Sequence, residues 1–109
     1  VETPEAVRNA AEIAAVPGVD VLLIGTSDLT ASMGIAGQIG HPDVRAAYET
    51  VARACQASGK TLGMGGVYDE THAAAYIKLG ARFLLSGSDH TMLMAGAAAR
   101  SRFLRGLQG

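Results

Sequence analysis

Two carboxylate side chains, Glu2 and Asp28, stand beside predicted structural elements at positions where a pair of acids could act together. Asp28 follows the apolar run 21–24 after one glycine and two hydroxyl residues, so it lies where a buried strand reaches the surface. Glu2 immediately precedes a predicted helix start, because Thr3 is a favoured N-cap and Pro4 a favoured first helical residue. Ordinary structural roles also fit: Asp28 as the N-cap of a short helix over 29–33, and Glu2 as a solvated terminal residue.

If an earlier strand ends at Glu2, both acids lie at the carboxyl ends of neighbouring parallel strands. Ligands of parallel α/β folds bind at that end of the sheet. Two carboxylates together suit a hard divalent cation such as Mg²⁺ or Mn²⁺, which takes oxygen ligands and keeps positions for water or substrate. Spacing alone does not decide between this metal pair and the two structural roles.

Small residues follow the next two predicted strands at the same end of the sheet. The cluster formed by Gly63, Gly65 and Gly66 is not a dinucleotide-binding fingerprint, because no glycine falls at the position that the third one must occupy. No helix begins directly after the cluster either. Together with the segment 86–88, Ser-Gly-Ser, it fits a pair of loops that bind a phosphate group. Such a site would favour a phosphorylated or coenzyme-A-linked substrate.

The three histidines are weaker candidates for a catalytic base. His41 and His72 lie at predicted helix starts, where we expect surface residues. His90 follows the segment 86–88 at the same end as the acids, so a functional role stays open for it.

The elements that must position these residues alternate in type along the chain. Helices are recognised by the spacing of their apolar residues and by the glycines that end them, and strands are recognised as short apolar runs. The prediction places one helix from Pro4, after the N-cap Thr3, to the break at Pro17-Gly18, and further helices over 42–58, 70–79 and 90–106. It places strands over 19–24, 61–65 and 81–86. The loop 25–40 carries at most a turn of helix over 30–33, and Asp69 and Asp89 are expected to cap the last two helices.

Alternating strands and helices predict an α/β fold with a parallel sheet covered by helices. The short repeat of the last two units favours a (β/α)8 TIM barrel over a doubly wound sheet. A complete barrel needs about 250 residues. We therefore expect residues 1–109 to be the C-terminal part of a barrel domain, with three βα units, the end of a preceding strand and no N-terminal half. The absence of an initial methionine agrees with this expectation.

Composition excludes several classes of partner. The net charge is −1 and aromatic residues make up 5% of the chain, so neither nucleic acid nor an anionic membrane surface is an expected partner. No apolar run approaches a membrane span and no signal peptide is visible, so a cytoplasmic location is expected. Cys55, the single cysteine, is predicted to face the core from the helix over 42–58.

Several segments together resemble one known family. They are Val-Glu-Thr at 1–3, Pro-Gly-Val-Asp-Val at 17–21, Ile-Gly-Thr-Ser-Asp-Leu-Thr-Ala-Ser-Met-Gly at 24–34, His-Pro-Asp-Val at 41–44, Ser-Gly-Lys at 58–60 and Gly-Ser-Asp at 87–89. In this order they are similar to the C-terminal part of the HpcH/HpaI aldolase and citrate lyase family. The resemblance covers essentially all 109 residues. The family form of the central motif is close to Ile-Gly-Pro-x-Asp-Leu-Ser-x-x-x-Gly.

The resemblance implies a divalent-metal-dependent (class II) aldolase that cleaves or forms a carbon–carbon bond next to a 2-oxo acid, with an aldehyde as the second small molecule. It implies pyruvate enolate chemistry on 4-hydroxy-2-oxo acids, and Glu2 and Asp28 as ligands of Mg²⁺ or Mn²⁺, with Co²⁺ or Zn²⁺ also open. Ser27 would bind the substrate carboxylate, largely through backbone N–H groups, and Gly25 would allow close backbone approach. It further implies a homo-oligomer that packs through the C-terminal helix.

Two departures from the family pattern bear on the substrate. Thr26 stands where the family has proline, and Gly65 stands where an apolar residue often lines the pocket, so Gly65 should widen or reshape it. The family's carboxylate-binding arginine and its acid–base residues belong to the N-terminal half, so none of these 109 residues is a certain catalytic residue. A coenzyme-A-thioester lyase of the malyl, citramalyl or citryl type and an inactive fragment remain the alternatives.

Overall fold

The computed structural model describes residues 1–108, which contain three β-strands in one parallel sheet. The strands are β1 (Val21–Gly25), β2 (Thr61–Gly65) and β3 (Ala81–Leu84), in the order β1-β2-β3. Gly25 pairs in register with Gly65, so β1 and β2 end at the same level. An irregularity between Leu62 and Gly63 shifts the register of the β2–β3 pair. The expected parallel α/β arrangement is therefore confirmed.

Six helices accompany the sheet in the described part of the chain. They are α1 (Pro4–Arg8), α2 (Ala10–Ala15), α3 (Thr26–Ser32), α4 (Pro42–Ser58), α5 (Glu70–Lys78) and α6 (Asp89–Gly106). The prediction of one helix from Pro4 to the break at Pro17-Gly18 is wrong, because the chain leaves helical geometry at Asn9 (φ −91°, ψ 8°) and begins a second helix there. Asparagine is a poor interior helix residue, since its side chain competes for backbone hydrogen bonds.

Helix α3 begins at Thr26, so the sequence prediction placed the start of this short helix too late. Thr26 and Thr30 are both fully buried, and each hydroxyl is hydrogen-bonded, that of Thr26 with the Tyr48 hydroxyl at 2.8 Å. Thr30 Oγ1 donates to the Ser27 carbonyl oxygen at 2.9 Å and accepts from the Gly37 N–H at 3.2 Å. These bonds compensate for burying the two hydroxyls and for the low helix propensity of threonine.

Helix α4 supplies much of the core through the apolar face that the sequence predicted. The predicted residues Val44, Ala47, Tyr48, Val51, Ala54 and Cys55 are all buried, and Ala52 joins them. Burial raises the pKa of the Cys55 thiol. Gly59 ends the helix in the left-handed conformation, with φ 65°.

The side of the molecule formed by β3 and α6 is largely exposed. Only Ala81 of β3 is buried, and none of the residues of α6 is. Ser88, not Asp89, caps α6, because the Ser88 hydroxyl and Thr91 form a reciprocal capping box. Across residues 1–108, none of the helices combines the length and apolar character that crossing a bilayer requires.

Candidate metal and substrate site

The first residues of the chain run alongside β1. The Val1 amino group donates to the Leu23 carbonyl oxygen at 2.7 Å, and the Gly25 N–H donates to the Val1 carbonyl oxygen at 3.1 Å. These two bonds follow the pattern of a parallel ladder. They bring Glu2 to the level of Gly25, which agrees with the prediction that Glu2 lies at the end of a neighbouring strand.

The Glu2 side chain lies directly against Gly25. A Cβ atom added at Gly25 would be 2.6 Å from Glu2 Oε1 and 2.7 Å from Glu2 Cγ, closer than such atoms can approach. The φ of Gly25 is −82°, which any residue can adopt, so glycine is needed here for space rather than for backbone freedom. The sequence predicted close approach at Gly25 by a substrate, whereas in this structure the close contact comes from Glu2.

Asp28 lies in the first turn of α3, and its side chain is exposed. Gly25 occupies the N-cap position of this helix and no side chain caps it, so the interpretation of Asp28 as an N-cap is wrong. Glu2, Ser27 and Asp28 line one cavity of about 240 Å³ at the carboxyl ends of β1 and β2. The structure therefore brings the two predicted acids and the predicted carboxylate-binding serine to the same place.

The opposite wall of the cavity comes from the end of β2 and the residues after β3. At Gly66, φ is 77°, and an added Cβ would lie 2.8 Å from Ser27 Oγ, so both conformation and space require glycine. At Gly65, a Cβ would lie 3.2 Å from Leu85 Cδ1. The room that glycine leaves at position 65 is thus partly occupied by leucine from the neighbouring segment.

Three lining residues escaped the sequence prediction: Leu23, Tyr68 and Leu85. Leu85 was assigned to a predicted strand over 81–86, whereas β3 ends at Leu84. The Leu85 N–H still donates to the Met64 carbonyl oxygen of β2 at 3.0 Å, and the Leu85 side chain lies beside Gly65 in the cavity. Tyr68 stands three residues beyond the end of β2 and is 69% exposed. Its place in a loop at the carboxyl end of a strand was the available indication that it could line a site.

The donor set at the cavity fits a hard divalent cation. Within residues 1–108, no three or more His, Cys, Asp or Glu side chains gather closely enough to hold a metal ion by themselves. Mg²⁺ needs no such cage, since one or two carboxylates plus water and substrate oxygens are its usual protein ligands. Zn²⁺ normally takes three or four protein ligands that include histidine or cysteine, so the donors present suit Mg²⁺ or Mn²⁺ better.

The histidines lie outside this cavity. His41 caps α4, and its Nδ1 accepts from the Asp43 N–H at 3.2 Å. His72 Nδ1 lies 2.8 Å from Asp69 Oδ2, and Asp69 caps α5 as predicted. The exposed His90 lines a separate cavity with Asp89 and Leu93.

Comparison with known proteins identifies the family. A model of the HpcH/HpaI aldolase/citrate lyase family matches residues 1–95. The chain belongs to this family. It is 41% identical over 99 residues to a 4-hydroxy-4-methyl-2-oxoglutarate aldolase of Chaetomium globosum, and 43% identical over 99 residues to a 4-hydroxy-2-oxo-heptane-1,7-dioate aldolase of Salmonella paratyphi B. These matches cover 89% and 91% of the chain, but only 37% of each relative.

Solved structures of the family share this fold. An HpcH/HpaI aldolase from Desulfitobacterium hafniense superposes with a TM-score of 0.82 at 32% identity, and a family protein from Burkholderia cenocepacia with 0.85 at 34%. Each comparison covers 96% of this chain and 40% of the other. The similarity therefore extends along nearly all of the present chain and corresponds to less than half of each relative.

Proposed function

We propose that residues 1–109 are the C-terminal part of a (β/α)8 barrel domain of a divalent-metal-dependent aldolase, which cleaves or forms a carbon–carbon bond next to a 2-oxo acid. Two findings support this proposal. The sheet consists of parallel strands in consecutive order, as in a barrel wall. The relatives compared above are named aldolases of 4-hydroxy-2-oxo acids, and the chain is 41% and 43% identical to them over 99 residues.

The observation that carries the proposal is the convergence of Glu2 and Asp28 on one cavity at the carboxyl end of the sheet. They come from different segments, one beside β1 and one after it, and both residues line the cavity. We assign them as the ligands of Mg²⁺ or Mn²⁺. When bound, such an ion supplies a Lewis acid that stabilises negative charge developing on the oxygen of a 2-oxo acid.

The remaining lining residues would bind and orient the substrate. Ser27 lies in the first turn of α3, where backbone N–H groups have no partner within the helix and can donate to a carboxylate. Leu23 and Leu85 offer apolar surface that excludes water beside the reacting carbons. We place the proton-transferring group outside the described residues, since their histidines lie away from this cavity.

The test uses the protein at its natural full length, with Asp28→Asn and Glu2→Gln as the variants. Each should weaken Mn²⁺ binding, followed by electron paramagnetic resonance, by about 100-fold or more, because losing even a partner of a ligand costs about 10- to 100-fold. Pyruvate release from 4-hydroxy-2-oxo acids should fall in parallel. Asp20→Asn is the matched control, since Asp20 is an exposed acid just before β1, at the opposite end of the strand.

Metal-dependent turnover that survives in Asp28→Asn would overturn the assignment. Turnover of coenzyme-A thioesters alone would instead place the protein with the lyases of the citryl-coenzyme-A type.

We also propose that the protein is a homo-oligomer that packs through α6. Large apolar side chains of this helix are exposed to solvent: Met92, Leu93, Met94, Phe103 and Leu104. An apolar surface of this extent on one element is typical of an interface with another polypeptide.

A further inference from the structure

A buried hydrogen bond joins the first residue of α3 to the middle of α4. Thr26 Oγ1 lies 2.8 Å from the Tyr48 hydroxyl, and both residues are fully buried. Burial raises the pKa of Tyr48 to about 12, so the phenol stays protonated at neutral pH. The bond is therefore a neutral one whose strength does not change between about pH 6 and pH 9.

Tyr48 is itself held from the other side. Its ring stacks on the ring of Tyr76, with centroids 3.8 Å apart and planes 11° from parallel. The Tyr76 hydroxyl donates to the Ile39 carbonyl oxygen, in the loop between α3 and α4. Thr26 is thus connected through two aromatic rings to α4, α5 and the loop before α4. A side chain held in this way has little freedom to move.

Thr26 lies between Gly25 and Ser27, which both line the proposed site. Gly25 before it contacts the Glu2 side chain, and Ser27 after it lines the cavity together with Asp28. Within residues 1–108, neither Ser27 nor Asp28 makes a side-chain hydrogen bond or ion pair that would fix it. The direction of these two side chains therefore depends on how the backbone of the first turn of α3 is held.

We propose that Thr26 and Tyr48 are positioning residues for the metal and 2-oxo acid site, because their buried hydrogen bond fixes the turn that carries Ser27 and Asp28. This inference rests on the proposed function. Thr26 is the first residue of α3, and threonine does not fix its own φ as the ring of proline would. The side-chain bond to Tyr48 therefore supplies the restraint on this turn.

The experiment compares Thr26→Val, Tyr48→Phe, the double variant Thr26→Val/Tyr48→Phe, and Thr26→Ser in the full-length protein. Valine and phenylalanine keep the shape but lose the hydroxyl, whereas serine keeps the hydroxyl. We expect both single variants to weaken Mn²⁺ binding and to lower kcat by about tenfold each, with an unchanged pH profile. The double variant should be no weaker than either single variant, because the same bond is lost in all three. Thr26→Ser should stay within about twofold of the wild type, since it retains the bond.

Thermal melting separates positioning from simple destabilisation. Each single variant leaves one buried hydroxyl without its partner, whereas the double variant removes both groups and should melt close to the wild type. Weak Mn²⁺ binding in a well-folded double variant supports positioning, and its Mn²⁺ affinity decides the question even where a single variant fails to fold. Thr50→Val is the matched control, because the Thr50 hydroxyl donates to the Ala46 carbonyl oxygen and accepts from Arg53 Nη2, both within α4 and away from the site.

Failure of this inference and failure of the proposed function give different results. If the wild type binds Mn²⁺ and Asp28→Asn does not, while the double variant binds as well as the wild type, the positioning role is wrong and the metal site stands. If the wild type binds no Mn²⁺ and releases no pyruvate, both proposals are wrong.

Discussion

Gly25 sets the distance between the backbone of β1 and the carboxylate of Glu2. A side chain at this position would occupy the space that the Glu2 carboxylate takes in the structure, with a contact of 2.6 Å. The backbone conformation of Gly25 is ordinary, so a substitution would act by displacing Glu2 and not by straining the chain. The role of this glycine can therefore be tested separately from backbone strain.

Gly25→Ala should weaken Mn²⁺ binding by about tenfold, since a displaced ligand loses the geometry on which affinity depends. The melting temperature should change little, because Glu2 is exposed and can move aside. Isothermal titration with Mn²⁺ measures the first effect and circular dichroism the second. Gly96→Ala is the control, as a Cβ at Gly96 meets nothing within 4 Å. Equal Mn²⁺ affinity in Gly25→Ala and wild type would show that Glu2 is not held at this position as a ligand.

The residues of the candidate site differ in whether the neighbouring sequence or a distant contact determines their position. Short-range patterns placed Glu2 and Asp28 at strand ends, whereas their assignment as metal ligands and that of Ser27 as a carboxylate-binding residue came from the family resemblance and stay predictions. The place of Leu85 in the cavity could not be predicted, because it depends on the hydrogen bond of its N–H to Met64 of β2, a residue distant in sequence. The bond between Thr26 and Tyr48 spans 22 residues, so spacing along the sequence gave no indication of it.

At the scale of elements, predictions succeeded where a helix is specified by its own ends. The bounds of α4 follow from proline at its start and Gly59 at its end, and the prediction of 42–58 is confirmed. The start of α3 was predicted too late in the sequence, because its first turn is stabilised by Tyr48, a residue distant in sequence. Local patterns do not contain such tertiary stabilisation.

Helix α5 offers a test of capping that depends on pH. The His72 backbone N–H donates to Asp69 Oδ2 at 2.9 Å, and this bond lowers the pKa of the Asp69 carboxyl. A carboxyl whose pKa is lower in the folded state stabilises that state above its unfolded pKa of about 3.9, and this contribution is lost as the pH falls through the folded pKa.

Asp69→Ala should therefore lower the melting temperature at neutral pH, and its difference from wild type should shrink as the pH falls below about 4. Thermal melts by circular dichroism between about pH 2 and pH 7 follow this change. Glu70→Ala is the matched control, because Glu70 is an exposed acid in the first turn of the same helix, which Asp69 and not Glu70 caps. A difference between Asp69→Ala and wild type that stays constant down to about pH 2 would contradict the role of the ionised carboxylate.

At the scale of the whole molecule, the parallel sheet agrees with the prediction, but the expected cover of helices does not extend to β3. Phe83 and Leu84 are 48% and 41% exposed, although continuous apolar strands are normally buried in parallel sheets. The apolar character of this strand predicts that it packs against another element, either of the same domain or of another copy. The sequence of the strand does not determine which of the two it is. The chain corresponds to about two-fifths of the family structures it matches, so the proposed barrel assigns this face to the remaining segments of the domain.

Helix α6 also exposes apolar side chains, and these bear on how copies of the protein associate. Among residues 1–108, no element buries any residue of this helix, and Leu93 is 73% exposed. If α6 packs against another copy, as proposed, a charge in its apolar surface should oppose association, because burying an unpaired lysine is unfavourable. The fold of the single chain should be unaffected, since Leu93 contributes nothing to its core.

Leu93→Lys should shift the full-length protein towards the monomer in sedimentation velocity, with an unchanged circular dichroism spectrum. Ser101→Lys introduces the same charge at another exposed position of α6 that offers no apolar side chain, and it should leave the oligomer intact. A wild-type protein that is monomeric at all concentrations would contradict the proposed interface. An oligomer that persists in Leu93→Lys would show that the copies associate through a different surface, and the exposed face of β3 would be the next to test.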